Sequence, residues 1–300
     1  MRAVYDITHT TCYRYTQPVR FGEHRIMFRP RDSHDLRVLA TDLEVSPLAS
    51  VRMVQDTHSN SIALVQPLAP ADELRIVCTF TIEQVPSNEP ELPLAPSAKL
   101  FPFAYSVEER FDLEPYLRPH YDDPEGVLTQ WAREFLRTDG LTGTRDMVRA
   151  MNQHIREHFG YCVRYEEGVQ TPLRTLELRS GSCRDFALLM MEALRRLGIA
   201  ARFVSGYLYD PALDDGTPEG SNGTVGAGAT HAWLQAYLPG AGWVPFDPTN
   251  NLIGDSQLIR VAVARDPSHA APIAGSWFGT PSDYLGMEVV IEVRRRPGGL

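Results

Sequence analysis

The sequence predicts an α+β protein: an N-terminal antiparallel β-sandwich, then helices packed on an antiparallel sheet. Two periodicities and one break between them carry that expectation. Up to residue 95 the segments VYDITHTTCYRY, HRIMFRP, LATDLEVSP, VRMVQD, SIALVQP and LRIVCTFTIEQV alternate polar with β-branched or aromatic residues. Turn-forming clusters such as RPRDSHD and DTHSNS separate them, as in a sandwich. Further on, apolar residues recur at three- and four-residue spacing around 124–137, 144–159 and 183–197, which is the helical period. Between the two textures, VPSNEPELPLAPSAKLFPF is rich in proline and keeps neither period, so it is expected to be a linker. Residues 1–95 then form a β-rich N-terminal domain and residues 96–300 a second domain.

Taken in order, the first domain places Cys12 and Cys78 within its strands, where a free cysteine serves as a small core filler. In the helix over 144–159, Met147, Met151, Ile155 and Phe159 mark the buried stripe. The terminal SDYLGMEVVIEVRRR alternates around Met287, Val289 and Ile291 and predicts a last strand. It either completes the second sheet or returns to the sandwich, and a return would tie the two domains together. No internal repeat interrupts this order.

Composition narrows the function. A chain of 300 residues, 43% hydrophobic and 22% charged, can bury two ordinary cores and is not a disordered protein. Its net charge of −9 speaks against holding nucleic acid by phosphate neutralisation. The four cysteines show no paired spacing of the zinc or secreted-scaffold type, which fits a reducing compartment. The chain opens directly into a strand pattern, with no leader-like order and no apolar run of membrane length, so a cytoplasmic protein without membrane contact is expected.

The stretch RSGSCRDFALLMMEALRRLG, Arg179 to Gly198, sets a cysteine where a helix begins. Phe186, Leu189, Met190, Ala193, Leu194 and Leu197 give an amphipathic helix with one well-buried face, stopped by Gly198. Ser182 stands at the N-cap and Asp185 three residues on, the pair of a capping box. Cys183 then occupies the first helical position, where free N–H groups and the helix dipole favour thiolate over thiol. A thiol nucleophile needs a base, and the base needs a carboxylate or amide to fix its tautomer. Downstream, HAWLQAYL and WVPFDP flank PGAG and predict an antiparallel hairpin whose open end carries His231 and Asp247.

These blocks, GSCRDFALLMMEALRRLGIAARFVSGYL followed by HAWLQAYLPGAGWVPFDPTN, resemble the core of the bacterial transglutaminase-like family, provisionally cysteine peptidases of papain-like architecture. The opening HTTCYRYTQPVRFGEHRIMFRPR resembles the β-rich N-terminal region that precedes that core. The resemblance implies that residues 96–300 are the catalytic domain, with Cys183 as nucleophile, His231 as base and Asp247 as orienting acid. It also implies attack of the thiolate on a peptide or glutamine-type amide and a thioester intermediate. Water then gives hydrolysis and a lysine amine gives crosslinking, and the sequence leaves both open. The oxyanion needs two donors, one from the Cys183 backbone N–H and a second from Tyr161 or Gln170. Trp233 and Gln235 follow His231 on the same strand face and are placed beside the site; Gln235 stands where related cores often carry Glu. Partners implied are a protein or peptide amide substrate and a ligase of the ATP-grasp type in the same pathway.

Three competing signals remain. HIREH, His154 to His158, matches an inverted zinc-peptidase pattern, with Glu157 as base, yet its histidines flank the buried stripe and no third ligand is evident. The loop YDPALDDGTPEGSNGTVGAGAT cannot bury a face and is expected to border the cleft; its Asp214, Asp215 and Glu219 lack the ordered spacing of a calcium loop. No metal and no cofactor is therefore expected. The non-enzymatic reading is a transglutaminase fold kept as a binding scaffold.

Overall fold

The computed structural model describes residues 2–85, 92–164, 166–211, 225–226, 228–254 and 257–296. The first strands are β1 (Ala3–Phe21), β2 (His24–Ile26), β3 (Leu36–Ser46), β4 (Ala49–Gln55), β5 (Ser61–Pro67) and β6 (Ala71–Gln84). They divide into two antiparallel sheets, one with β1, β6 and β3 side by side and one with β2, β5 and β4. Alternation places Tyr5, Ile7, Leu74, Ile76, Phe80 and Ile82 inward, with Cys12 and Cys78 buried. Burial pushes the Cys78 thiol up to about 12, the behaviour of an inert core cysteine.

The helices are α1 (Val107–Leu117), α2 (Val127–Arg133), α3 (Thr144–His158), α4 (Pro172–Leu178) and α5 (Cys183–Arg196). They accompany a third antiparallel sheet built from β7 (Ala201–Leu208), β8 (Thr230–Leu238), β9 (Gly242–Asp247) and β10 (Leu258–Ala264). Its order is β9, β8, β7, β10, with the short pair Leu252–Ile253 outside β9. β8 and β9 are the predicted hairpin, with Leu238 opposite Gly242. The linker residue Ala95 donates its N–H to the Pro239 carbonyl at the hairpin turn.

The thiol helix α5 differs from its expected form. It is buried on nearly every side, Asp185, Glu192 and Arg195 included, rather than along one face. Those polar groups tolerate the interior because they are paired: Glu192 meets Arg195 and Arg196, each at 2.8 Å. α5 is thus the central helix of its layer, held from both sides.

The last strand, β11 (Tyr284–Arg295), returns to the first sheet and pairs antiparallel with β1 from Tyr5 opposite Arg295 to Tyr15 opposite Tyr284. Residues 273–274 and 277–278 likewise pair with β2 and β1. The exposed edge of β10 is covered by the N-terminal sheets: Asn60 exchanges two hydrogen bonds with the Val263 backbone, and Gln84 donates to the Leu258 carbonyl. Among the described residues no helix is long and apolar enough to cross a membrane.

Candidate active site

The close approach at the start of α5 explains the Ser-Gly-Ser run before the cysteine. A methyl on Gly181 would lie 2.8 Å from the Asp185 Cβ and 3.0 Å from the Gln170 amide nitrogen, so a side chain has no room there. Asp185 reaches back to the Ser182 N–H at 2.8 Å, as a capping residue should, and the Ser182 hydroxyl donates to the same oxygen. It does more than cap. Arg164 binds it at 2.9 Å, and the Gln170 backbone N–H donates to it at 2.7 Å. The carboxylate therefore ties Arg164 and Gln170 to the first turn of the thiol helix.

His231 and Asp247 come together at the open end of the hairpin. The imidazole Nε2 lies 2.8 Å from Asp247 Oδ2, and both side chains are fully buried. Asp247 also accepts the Thr249 N–H and an Asn250 amide proton, each at 2.9 Å. Burial alone would raise its carboxyl pKa, but His231 and these donors hold it below the usual range. Burial alone would lower His231; the Asp247 carboxylate and then the Cys183 side chain outweigh it and push the imidazole up to about 10. Cys183 thus stands against the ring of His231. The second ring nitrogen, Nδ1, is buried without a hydrogen-bond partner of good geometry.

The remaining predicted residues divide. Tyr161 lies beside the thiol: burial first, and the Cys183 charge second, push its phenol up to about 12. Gln170 spends its amide on the Ser180 carbonyl and on Asp185, at 3.0 and 3.3 Å. Trp233 lies beneath His231, their rings 27° from parallel at 6.0 Å. Gln235 accepts from Arg202 Nε at 2.9 Å, and that guanidinium sits 4.0 Å over Trp243, so the glutamine serves a cation–π pair. His154 and His158 stack at 4.2 Å, and among the described residues no group of three His, Cys, Asp or Glu is placed to hold a metal ion. Asp214, Asp215 and Glu219 lie outside the described residues.

The profile of the Transglutaminase-like superfamily matches residues 129–248, and that of the Bacterial transglutaminase-like N-terminal region matches residues 5–83. Residues 129–248 carry a core of the transglutaminase-like superfamily. An uncharacterized protein of Mycobacterium leprae is 29% identical over 289 residues, 96% of this chain and 98% of that protein. A protein-glutamine gamma-glutamyltransferase of Pseudomonas aeruginosa is 33% identical over 120 residues, 39% of this transglutaminase-like chain and 17% of that protein. A solved structure of a provisional cysteine protease from Cytophaga hutchinsonii superposes with a TM-score of 0.71 at 20% identity, covering 100% of this chain and 93% of the other. That likeness establishes the fold.

Asn250 is the site residue that sequence reasoning missed. Its amide bonds both Asp247 and the Val225 backbone. Its place three residues beyond Asp247 was the available signal.

Proposed function

We propose that this protein is a thiol-dependent acyl-transfer enzyme acting on amide bonds, with Cys183 as nucleophile, His231 as base and Asp247 as the group that orients the base. The supporting observation is the buried Asp247–His231 contact of 2.8 Å with the Cys183 side chain against the same ring. An imidazole held up to about 10 takes and keeps a proton over the neutral range, which is what a base beside a thiol nucleophile must do. The sulfur attacks the amide carbonyl, a C–S bond forms, and the tetrahedral oxyanion accepts from the Cys183 backbone N–H at the helix start. Tyr161, with its phenol pushed up to about 12, stays protonated and supplies the second donor. His231 gives its proton to the leaving amine, and an acceptor then releases the acyl group from sulfur.

Iodoacetamide labelling tests the pair. Cys162 is exposed and Cys183 buried, so accessibility alone would make Cys162 react faster. The expected result at neutral pH is the reverse, with His231→Ala slowing Cys183 by roughly tenfold or more and leaving Cys162 unchanged. Equal Cys183 rates in the two proteins would overturn the assignment.

A further inference from the structure

We propose that Asn250 is a positioning residue that seats the Gly226 backbone against the free nitrogen of His231, and so restricts the acyl acceptor to water or an amine of similar size. This rests on the acyl-transfer reading and specifies its second half. With Nε2 taken by Asp247, Nδ1 is the nitrogen left to exchange a proton with acceptor and leaving group. Nδ1 is buried, and no protein group bonds it with good geometry, the Cys183 side chain standing against the same ring. A methyl on Gly226 would lie 2.7 Å from Nδ1 and 3.4 Å from the ring Cε1, which puts the glycine backbone directly over that edge. Gly226 has φ +93°, a conformation that favours glycine independently of the crowding.

Among the described residues, the Asn250 side chain ties this wall to the site. The Val225 N–H donates to Asn250 Oδ1 at 2.8 Å, and Asn250 Nδ2 donates to the Val225 carbonyl at 3.0 Å. The same Nδ2 donates to Asp247 Oδ2 at 2.9 Å, the oxygen that binds His231. A single amide therefore sets both the carboxylate behind the imidazole and the backbone in front of it.

The consequence lies in deacylation. The acceptor oxygen or nitrogen forms a bond to the thioester carbon and yields a proton to Nδ1. The C–S bond breaks, the sulfur leaves with its electron pair, and Nδ1 returns the proton to it. Water needs room for one heavy atom. A lysine amine also needs a path for its alkyl chain, and beside Nδ1 that path meets Gly226. His231 is 1% exposed and Cys183 7%, in keeping with so narrow an approach.

The test acylates the full chain with p-nitrophenyl acetate and follows the burst of nitrophenolate. Deacylation of the acetyl-enzyme is then compared in methylamine and n-pentylamine, two primary amines of similar basicity, with a free acetyl thioester as reference. The wild type is expected to prefer methylamine by roughly tenfold more than the free thioester does. Asn250→Ala, which also removes a donor to Asp247, is expected to slow the burst while keeping its amplitude, and to lose that preference. Asn250→Ser, which cannot span both Val225 groups, should do the same and serves if the alanine variant does not fold. Equal use of the two amines by the wild type, or undiminished preference in a folded Asn250 variant, would overturn the proposal while the burst leaves acyl transfer standing. A burst that is absent, or that survives Cys183→Ala, would instead remove the acyl-transfer reading and this one with it.

Discussion

His231 is a buried imidazole whose proton is held by neighbours rather than by solvent. Burial lowers its pKa, yet Asp247 and Cys183 bring it to about 10, well above its ordinary 6.5. The stabilisation this contact gives is complete below pH 6.5 and is lost as pH climbs through about 10. Asp247, held low, contributes above its ordinary 3.8 and loses that contribution only as pH falls through its depressed value. Urea midpoints should therefore fall between pH 7 and 10 by the equivalent of about 3 kcal/mol, at ~1.4 kcal/mol per pH unit. His231→Gln should flatten that slope, and an identical slope in the variant would show that other groups set it. Cys183, His231 and Asp247 were legible because each carries a local signal: a capped helix start, a strand position, and a carboxylate before proline. Asp185 was only half legible, and Asn250 was missed. Their roles depend on Arg164, Gln170 and Val225, which the fold brings in from 15 to 25 residues away.

At the scale of the element, α5 does two jobs at its two ends. Its N-terminus presents the thiol, and its C-terminal turns anchor the segment 116–123. Glu192 accepts the backbone N–H groups of His120 and Tyr121 and pairs with Arg195 and Arg196. Arg195 in turn donates to the carbonyls of Tyr116, Ala201 and Arg265. Glu192→Ala leaves a guanidinium buried without its carboxylate, so a loss of about 3–5 kcal/mol in urea denaturation is expected. A change under about 1 kcal/mol would mean that water reaches the network. This packing also explains the misjudged outline of α5: period alone cannot show that Glu192 and Arg195 face partners instead of solvent. α1 escaped the sequence for the opposite reason. Only Leu113 of its residues is buried, Pro115 interrupts it, and Val107 and Phe111 face outward, so it has no apolar stripe to read. α4 has seven residues, too few for a period to declare itself.

Across the whole molecule, the strand content of the first half was legible from alternation, but its closure was not. β11 is placed against β1 by pairs such as Tyr5 with Arg295, and a pattern of period two does not say which edge it will join. The seam between the N-terminal sheets and the sheet of β7 to β10 includes His9. Its Nδ1 meets the Tyr207 hydroxyl at 2.8 Å, its Nε2 meets Thr11 at 3.1 Å, and its ring stacks on Phe28. Burial pushes this histidine down to about 3, so the folded protein keeps it neutral. The unfolded chain takes the proton from pH 6.5 downward, and stability is lost progressively until pH reaches about 3. Relative to neutral pH, the cost at pH 5 is about 2 kcal/mol. Because His9 bonds Tyr207 across the seam, acid should loosen both halves in one transition rather than release the N-terminal sheets alone. His9→Gln keeps a polar group for Tyr207 without a titrating proton. Its melting temperature should fall less than the wild type's between pH 7 and 5, followed by near-ultraviolet circular dichroism. Parallel curves for the two proteins would move the acid sensitivity to another buried group and leave the seam indifferent to pH.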